Sequence, residues 1–182
     1  MFSHTLSDGV ELHLLQPYDR YIDSFHGFLM ENRDFLGEWL GWAHTLQTRE
    51  QVKAQVERVC KRNAEGNSLS LCIFVDDVYA GGLVLNINSR EHNIGEIGYW
   101  LGEAYTGRGI ITQGTRFMIN FGFEMFKLNR IIIRCATGNT KSQAIPKRLN
   151  FTREALQRAG YLLNNVYHDM IIYSLLAEEW QR

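Results

Sequence analysis

The stretch YTGRGIIT, residues 105–112, places a glycine on each side of an arginine, where a strand-like run gives way to a helical one. Glycine weakens a helix, so Gly107 and Gly109 indicate that something needs close access to the backbone there. The N–H groups at a helix N-terminus are unpaired and attract anions, and Arg108 adds a positive charge beside them. The stretch therefore predicts a phosphate-binding loop, although a Gly-x-Gly between a strand and a helix is more often a plain turn.

Two common phosphate loops do not match this stretch. A Walker A loop requires Gly-Lys followed by Ser or Thr, and the chain contains no Gly-Lys pair. A dinucleotide-binding loop requires a third glycine, where this chain has Thr112, and an acidic residue about 20 residues later, where it has Cys135 and Ala136. The strands before the loop are joined by short turns rather than by helical crossovers, which also argues against the dinucleotide fold.

Composition limits the classes of protein that remain. A chain of 182 residues suits one compact domain, and its net charge of −1 provides no basic field for nucleic acid or an anionic membrane. We find no apolar run near the roughly 20 residues that span a bilayer, and no signal peptide. Cys60, Cys72 and Cys135 are widely separated and odd in number. They indicate reduced, mostly buried thiols of a cytoplasmic protein. The net charge and the lack of a long apolar run predict no nucleic-acid or membrane partner.

The order of apolar patterns predicts a mixed α/β domain. Thr48 and Gln51 form a capping box that opens a helix reaching about Ala64. The runs SLSLCIFV, YAGGLVLNI and NIGEIGYWL are joined by short turns and predict an antiparallel meander. The remaining predictions are a strand at 10–17, a helical region at 18–42, a helix at about 111–126, a strand at 130–136 that is buried on both faces, a short helix at about 142–149, and a hairpin around LNNV.

A further set of motifs carries a family resemblance. The blocks ENRDFLGEWLGW, EIGYWL, FKLNRIIIRC and GNTKSQAIPKRLNF occur in that order around the glycine loop. With the loop they make the chain similar to the GNAT superfamily of N-acetyltransferases, and within it to the RimJ/RimL-type branch that acetylates protein N-termini. The family signature is Gln/Arg-x-x-Gly-x-Gly/Ala. This chain keeps the central glycine of the signature, as Gly109, but differs from it at the first and last positions. The signature aligns with Thr106, Gly107, Arg108, Gly109, Ile110 and Ile111.

The resemblance implies a GNAT fold, in which helices flank a mixed, mostly antiparallel sheet of seven strands that splays at the fourth strand. It implies one N-acetyltransferase domain over residues 1–182 and acetyl-CoA as co-substrate, without a metal. The loop at 106–111 would hold the coenzyme pyrophosphate, and the backbone near Trp100 and Leu101 would pair with the pantetheine arm and polarise the acetyl carbonyl. Asn150 stands where the family usually has glycine, and asparagine also tolerates the left-handed conformation of a helix cap.

Two residues are candidates for the chemistry. Strand alternation puts Glu96 on a largely apolar face, where desolvation would raise its pKa toward that of a useful base. The alternative for Glu96 is an ion pair with Arg108, Arg90 or another cation. By resemblance, Asn139 would bond the pantetheine arm and Ser142 would donate a proton to the leaving thiolate. The structural alternative makes Asn139 a helix N-cap and places Ser142 in the first helical turn.

The acceptor is the least determined part of the site. Glu31 and Asp34 lie near Trp39 in the 18–42 region, and acidic groups among aromatics suit a cationic amine. An equally good interpretation is a solvated acidic face, and Tyr167 on the last hairpin is a further candidate. Three functions stay open: acetylation of a protein N-terminus, acetylation of a small amine such as an aminoglycoside, polyamine or amino acid, and non-catalytic binding of acetyl-CoA. The family commonly forms homodimers, which the resemblance implies here.

Overall fold

The computed structural model describes residues 3–7 and 9–180. Within them the chain forms two 3₁₀ turns, Glu103–Tyr105 and Ala177–Glu179, together with five helices and eight strands. The helices are α1 (Asp19–Gly37), α2 (Trp42–Thr45), α3 (Arg49–Ala64), α4 (Ile110–Glu124) and α5 (Thr140–Arg148). The strands are β1 (Ser3–Ser7), β2 (Val10–Leu14), β3 (Ser68–Val75), β4 (Val78–Ser89), β5 (Ile94–Leu101), β6 (Arg130–Ala136), β7 (Thr152–Leu163) and β8 (Val166–Leu176).

The strands form one sheet in the order β1-β2-β3-β4-β5-β6-β8-β7. β5 pairs with β6 in parallel, whereas β1–β2, β2–β3, β6–β8 and β7–β8 are antiparallel. This confirms a mixed, mostly antiparallel sheet flanked by helices. The sheet has eight strands rather than the predicted seven, because β1 was not recognised. Its side chains are almost all exposed, so no alternation of apolar residues marks it as a strand.

The chain divides into two compact units. The first contains the described residues up to Val84 together with Tyr99–Ile110, and the second contains Leu85–Gly98 together with the described residues from Ile111 onward. That residues 1–182 act as a single N-acetyltransferase domain stays a prediction. In the described part of the chain no helix is long and apolar enough to span a membrane.

The first unit is built around an aromatic core between its helices and strands. Phe25 of α1 stacks on Tyr79 of β4, with ring centroids 5.5 Å apart, and both side chains are buried. The predicted capping box is present at Thr48 and Gln51 and opens α3. The helical region predicted at 18–42 ends earlier, at Gly37, because α2 turns back against it. A Cβ on Gly37 would lie 2.0 Å from Nε2 of His44.

One arginine of the first unit links two helices. Arg49, at the start of α3, donates from Nε to Asp23 (2.6 Å) and from Nη2 to Asp19 (2.7 Å) of α1. The hydrogen bond and the charge of Arg49 lower the pKa of Asp19, and the two carboxylates raise the pKa of Arg49. A carboxyl group with a lowered native pKa stabilises the fold above its unfolded pKa, and this contribution is lost as pH falls through the native pKa.

We therefore expect Arg49→Met to reduce the free energy of unfolding at neutral pH, and the reduction to disappear as pH falls through the lowered native pKa of Asp19. Urea denaturation of both proteins across this range measures the difference. A difference that does not change with pH would show that Arg49 acts through packing rather than through charge.

The second unit places α4 and α5 against β6. A Cβ on Gly122 of α4 would lie 3.1 Å from Cδ1 of Ile131, so the absence of a side chain allows close packing. Ile131, Ile133 and Cys135 of β6 are buried, but Arg134 is exposed. The prediction that this strand is buried on both faces is therefore wrong at Arg134.

Two predicted turns of the second unit are confirmed by their backbone angles. Asn150, after α5, has φ of +58° and takes the left-handed conformation expected of a cap. Asn164 and Asn165, between β7 and β8, have φ of +49° and +61°.

Candidate active site

The glycine loop lies in the first unit and leads directly into α4, which begins at Ile110. Gly107 and Gly109 have φ of +78° and +76°, in the left-handed region that other residues adopt only with strain. A Cβ on Gly107 would meet no heavy atom within 4 Å. The backbone at Gly107 therefore faces open space, and its glycine is required by conformation rather than by packing.

A positive charge lies between these glycines, and a hydrogen-bonded turn directly precedes them. The Arg108 guanidinium lies 5.9 Å from the ring centroid of Tyr105. Thr106 donates from Oγ1 to the carbonyl oxygen of Glu103 (2.8 Å), which closes the 3₁₀ turn just before Gly107. The loop thus combines an exposed cation, two left-handed glycines and the unpaired N–H groups at the start of a helix. This arrangement fits the pyrophosphate of coenzyme A.

Trp100 and Leu101, at the end of β5, also lie in the first unit. The Trp100 ring is 5.4 Å from that of Trp42 and 6.4 Å from that of Phe25, between centroids. A Cβ on Gly81 would lie 2.3 Å from the Trp100 carbonyl oxygen, and a Cβ on Gly82 would lie 2.3 Å from Cζ2 of its ring. The two glycines of β4 therefore allow β5 and its tryptophan to approach closely. The predicted role of this backbone toward the pantetheine arm stays a prediction.

Glu96 belongs to the second unit and forms an ion pair. Its Oε1 accepts from Nε of Arg134 (2.9 Å), and its Oε2 accepts from Nδ2 of Asn88 (2.9 Å). Its side chain is 20% exposed. The open alternative, an ion pair with a cation, is therefore what the structure shows, with Arg134 as the cation. Sequence reasoning missed Arg134 because the pair joins β5 and β6, whose register is not visible in a pattern.

The parallel pairing of β5 and β6 ends at Glu96. Ile94 pairs with Arg130, and the pairing continues as far as Glu96 with Ile132. The next two residues of β5, Ile97 and Gly98, are not among the paired residues. Both strands continue beyond that point, so their pairing is shorter than either strand, as a splay at this strand would require.

Asn139 and Ser142 lie together at the start of α5, also in the second unit. Oδ1 of Asn139 accepts from the backbone N–H of Ser142 (2.9 Å), so Asn139 is the N-cap. Oγ of Ser142 lies 3.2 Å from Sγ of Cys135. Because successive residues of a strand point to opposite faces, the Glu96–Arg134 pair and the Ser142–Cys135 contact lie on opposite faces of β6.

Neighbouring polar groups hold α5 on β6. Gln143 is buried and donates from Nε2 to the carbonyl oxygens of Ala136 (3.0 Å) and Thr137 (2.8 Å). Burial raises the pKa of Tyr173, whose hydroxyl donates to Oε1 of Gln143 (3.4 Å). Ser142 therefore lies on a helix whose position is defined by several hydrogen bonds.

The predicted acceptor residues divide between the units. Glu31 and Asp34 of α1 are exposed, and Trp39, just after this helix, is half-buried; all three lie in the first unit. Tyr167 of β8 lies in the second unit and is 67% exposed.

All three cysteines are free thiols. Burial raises the pKa of the Cys72 thiol well above its usual value, so this thiol is unreactive.

Comparisons with known proteins agree with this geometry. The family model described as acetyltransferase (GNAT) domain matches residues 11–152. The chain is 31% identical to YdaF of Bacillus subtilis (strain 168), a candidate ribosomal N-acetyltransferase, over all of this chain and 98% of the relative. It is 25% identical to the ribosomal-protein-serine acetyltransferase of Escherichia coli (strain K12), over 95% of this chain and 96% of that protein.

The chain is also similar to the solved structure of an acetyltransferase. RimL, a ribosomal L7/L12 alpha-N-protein acetyltransferase determined in complex with coenzyme A, superposes with a TM-score of 0.88. The two chains are 25% identical, and the match covers 96% of this chain and 98% of the other.

Proposed function

This chain belongs to the acetyltransferase (GNAT) domain family, and on that premise we propose that it acetylates the N-terminal amine of a ribosomal protein. It is an acetyl-CoA-dependent N-acetyltransferase. The observation that supports the substrate is the likeness, along almost the whole chain, to an acetyltransferase named for a ribosomal-protein serine. A coenzyme A complex of a similar structure supports the co-substrate.

The chemistry that we propose is direct transfer in a ternary complex. The neutral amine attacks the thioester carbon, the carbon–nitrogen bond forms, the carbon–sulfur bond breaks, and coenzyme A leaves as a thiolate that takes up a proton. We assign removal of the amine proton to Glu96, directly or through water, and stabilisation of the thiolate to the Ser142 hydroxyl. Supporting this, Glu96 is a partly exposed carboxylate and Ser142 lies in the first turn of α5. Because the two side chains belong to opposite faces of β6, this assignment requires the thioester to reach both of them beyond the end of the β5–β6 pairing.

The coenzyme assignments follow the motif residues. We assign the pyrophosphate to the N–H groups of residues 106–111 and the pantetheine arm to Asn139 and the backbone at Trp100 and Leu101. For the acceptor, we assign the cationic amine to Glu31, Asp34, Trp39 and Tyr167. We further propose that residues 1–182 act as a single cytoplasmic acetyltransferase domain, forming a homodimer without nucleic-acid or membrane partners. The family match at 11–152 includes residues of both units.

Free-thiol release from acetyl-CoA tests this function. The wild-type protein should release coenzyme A only when a peptide with a free ribosomal-protein N-terminus is present. Release with aminoglycosides, polyamines or amino acids but not with such peptides would make the protein a small-amine acetyltransferase. Binding without release for any amine would make it a non-catalytic module.

The loop assignment makes a separate prediction. Gly109→Glu places a side chain and a negative charge where the pyrophosphate would lie, so acetyl-CoA affinity should fall at least about 30-fold, or about 2 kcal/mol. Isothermal titration calorimetry measures this loss. Gly66→Glu is a matched control, because Gly66 has φ of +67° and follows α3, so it carries the same backbone strain without adjoining the loop. Equal affinities in folded Gly109→Glu and Gly66→Glu would contradict the loop assignment.

A further inference from the structure

Asn32 of α1 is hydrogen-bonded to the segment that leads into the glycine loop. Its Nδ2 donates to the carbonyl oxygen of Phe28, one turn earlier in the helix (2.9 Å). Its Oδ1 accepts from the backbone N–H of Glu103 (3.1 Å). The bond to Phe28 fixes the orientation of the Asn32 side-chain amide. In that orientation Oδ1 is directed at the N–H of Glu103 and holds this residue in place. Asn32 is half-buried and belongs to the same unit as the loop.

The residue before Glu103 is also held closely. A Cβ on Gly102 would lie 2.9 Å from Cε2 of Phe28 and 3.1 Å from Oδ1 of Asn32. On its other side, Gly102 donates from N to the carbonyl oxygen of Ala80 in β4 (2.8 Å). The backbone at 102 and 103 is therefore fixed between α1 and β4 before the loop begins.

Hydrogen bonds continue from Glu103 to the glycines. The carbonyl oxygen of Glu103 accepts from both N (3.1 Å) and Oγ1 (2.8 Å) of Thr106, which directly precedes Gly107. Glu103 is thus bonded through its N–H to Asn32 and through its carbonyl to Thr106. This connects α1 to the loop by two consecutive hydrogen-bonded steps.

We propose that Asn32 is a positioning residue for coenzyme binding, which holds the turn at Glu103 so that the glycine loop is ordered before the coenzyme arrives. The inference rests on the proposed function, in which this loop binds the pyrophosphate. Two left-handed glycines have many accessible conformations, and a loop that is not held must lose them on binding. Ordering it beforehand removes this cost from the binding step.

Steady-state kinetics with two acyl donors test this role. Acetyl-CoA carries the pyrophosphate, and S-acetylpantetheine lacks it. Asn32→Ala should raise the KM for acetyl-CoA about fivefold or more, the effect expected for one lost hydrogen bond, with little change in kcat. The same variant should leave kcat/KM for S-acetylpantetheine unchanged, because that donor does not use the loop.

A second pair of variants breaks the same bond from the other side. Gly102 has φ of −62° and ψ of 149°, which is compatible with a following proline, and Glu103 is the first residue of its 3₁₀ turn. Glu103→Pro removes the N–H that Asn32 accepts, and Glu103→Ala keeps it. We expect Glu103→Pro to reproduce Asn32→Ala, Glu103→Ala to match the wild type, and the double variant Asn32→Ala/Glu103→Pro to be no worse than either single variant.

Asn63→Ala is the control for general destabilisation, because Oδ1 of Asn63 accepts from Oγ of Ser68 (2.8 Å) elsewhere in the first unit. It should change neither donor's constants. If Asn32→Ala and Glu103→Pro had wild-type KM and kcat values, or lost kcat/KM equally with both donors, the role of Asn32 would be overturned. The assignment of the loop to the pyrophosphate would still stand. A wild-type protein with equal kcat/KM for the two donors would overturn the pyrophosphate loop, and the inference with it.

Discussion

Glu96→Gln is expected to lower the turnover number about 100-fold or more while leaving acetyl-CoA affinity almost unchanged. Glutamine keeps the length and shape of the side chain but cannot accept a proton from the amine. If Glu96 is the base, stopped-flow or steady-state turnover should fall at every pH at which the wild type is active. Calorimetry with acetyl-CoA separates this loss from a loss of coenzyme binding.

Because Glu96 also forms an ion pair with Arg134, the Glu96→Gln variant needs a control for the loss of an ion pair. Glu154→Gln removes a carboxylate from the Arg130–Glu154 pair, which lies in the same unit and likewise involves an arginine of β6. It should leave turnover unchanged, because no catalytic role is assigned to Glu154. If Glu96→Gln had wild-type turnover over the whole pH range, Glu96 would be an ion-pair residue that supports the sheet, and another group would have to accept the amine proton.

Ser142→Ala is expected to reduce turnover by roughly 100-fold, since removing one hydrogen bond to developing charge commonly has an effect of that size. The charge develops on a thiolate, and the pKa of its parent thiol is close to that of cysteine, about 8.5. The effect should therefore shrink with an acyl donor whose leaving thiol is more acidic. Turnover measured with a series of such donors gives the dependence directly.

The structure separates this role from helix capping. The cap bond runs from the backbone N–H of Ser142 to Asn139, so Ser142→Ala retains it. Ser174→Ala, at a buried serine of β8, is the control for loss of a buried hydroxyl. If Ser142→Ala weakened only acetyl-CoA binding, or only lowered the free energy of unfolding, Ser142 would be a binding or structural residue.

Local features of the fold were predictable because neighbours in sequence determine them. The capping box at Thr48 and Gln51 depends on residues three apart, and the turn at Asn164 and Asn165 depends on two residues that tolerate positive φ. The left-handed conformation of Gly107 and Gly109 likewise depends on residue type alone, whereas binding of a phosphate by their loop stays a prediction.

Contacts between distant elements were not predictable in the same way. The partner of Glu96 depends on how β5 and β6 align, and Arg134 was assigned instead to a strand buried on both faces. The bond from Asn32 to Glu103 joins residues 71 positions apart, and no local pattern marks it. β1 was missed because an exposed edge strand has no apolar face to produce an alternating pattern.

Locating the acetyl group on a product is the most direct test of the central claim. The protein should be incubated with acetyl-CoA and a ribosomal protein that has both a free N-terminal amine and internal lysines, and the product sequenced by tandem mass spectrometry. The account predicts one acetyl group on the N-terminal amine, and none when that amine is blocked beforehand. Acetyl groups on lysine side chains, or no modification of any ribosomal protein while a small amine is acetylated, would contradict it.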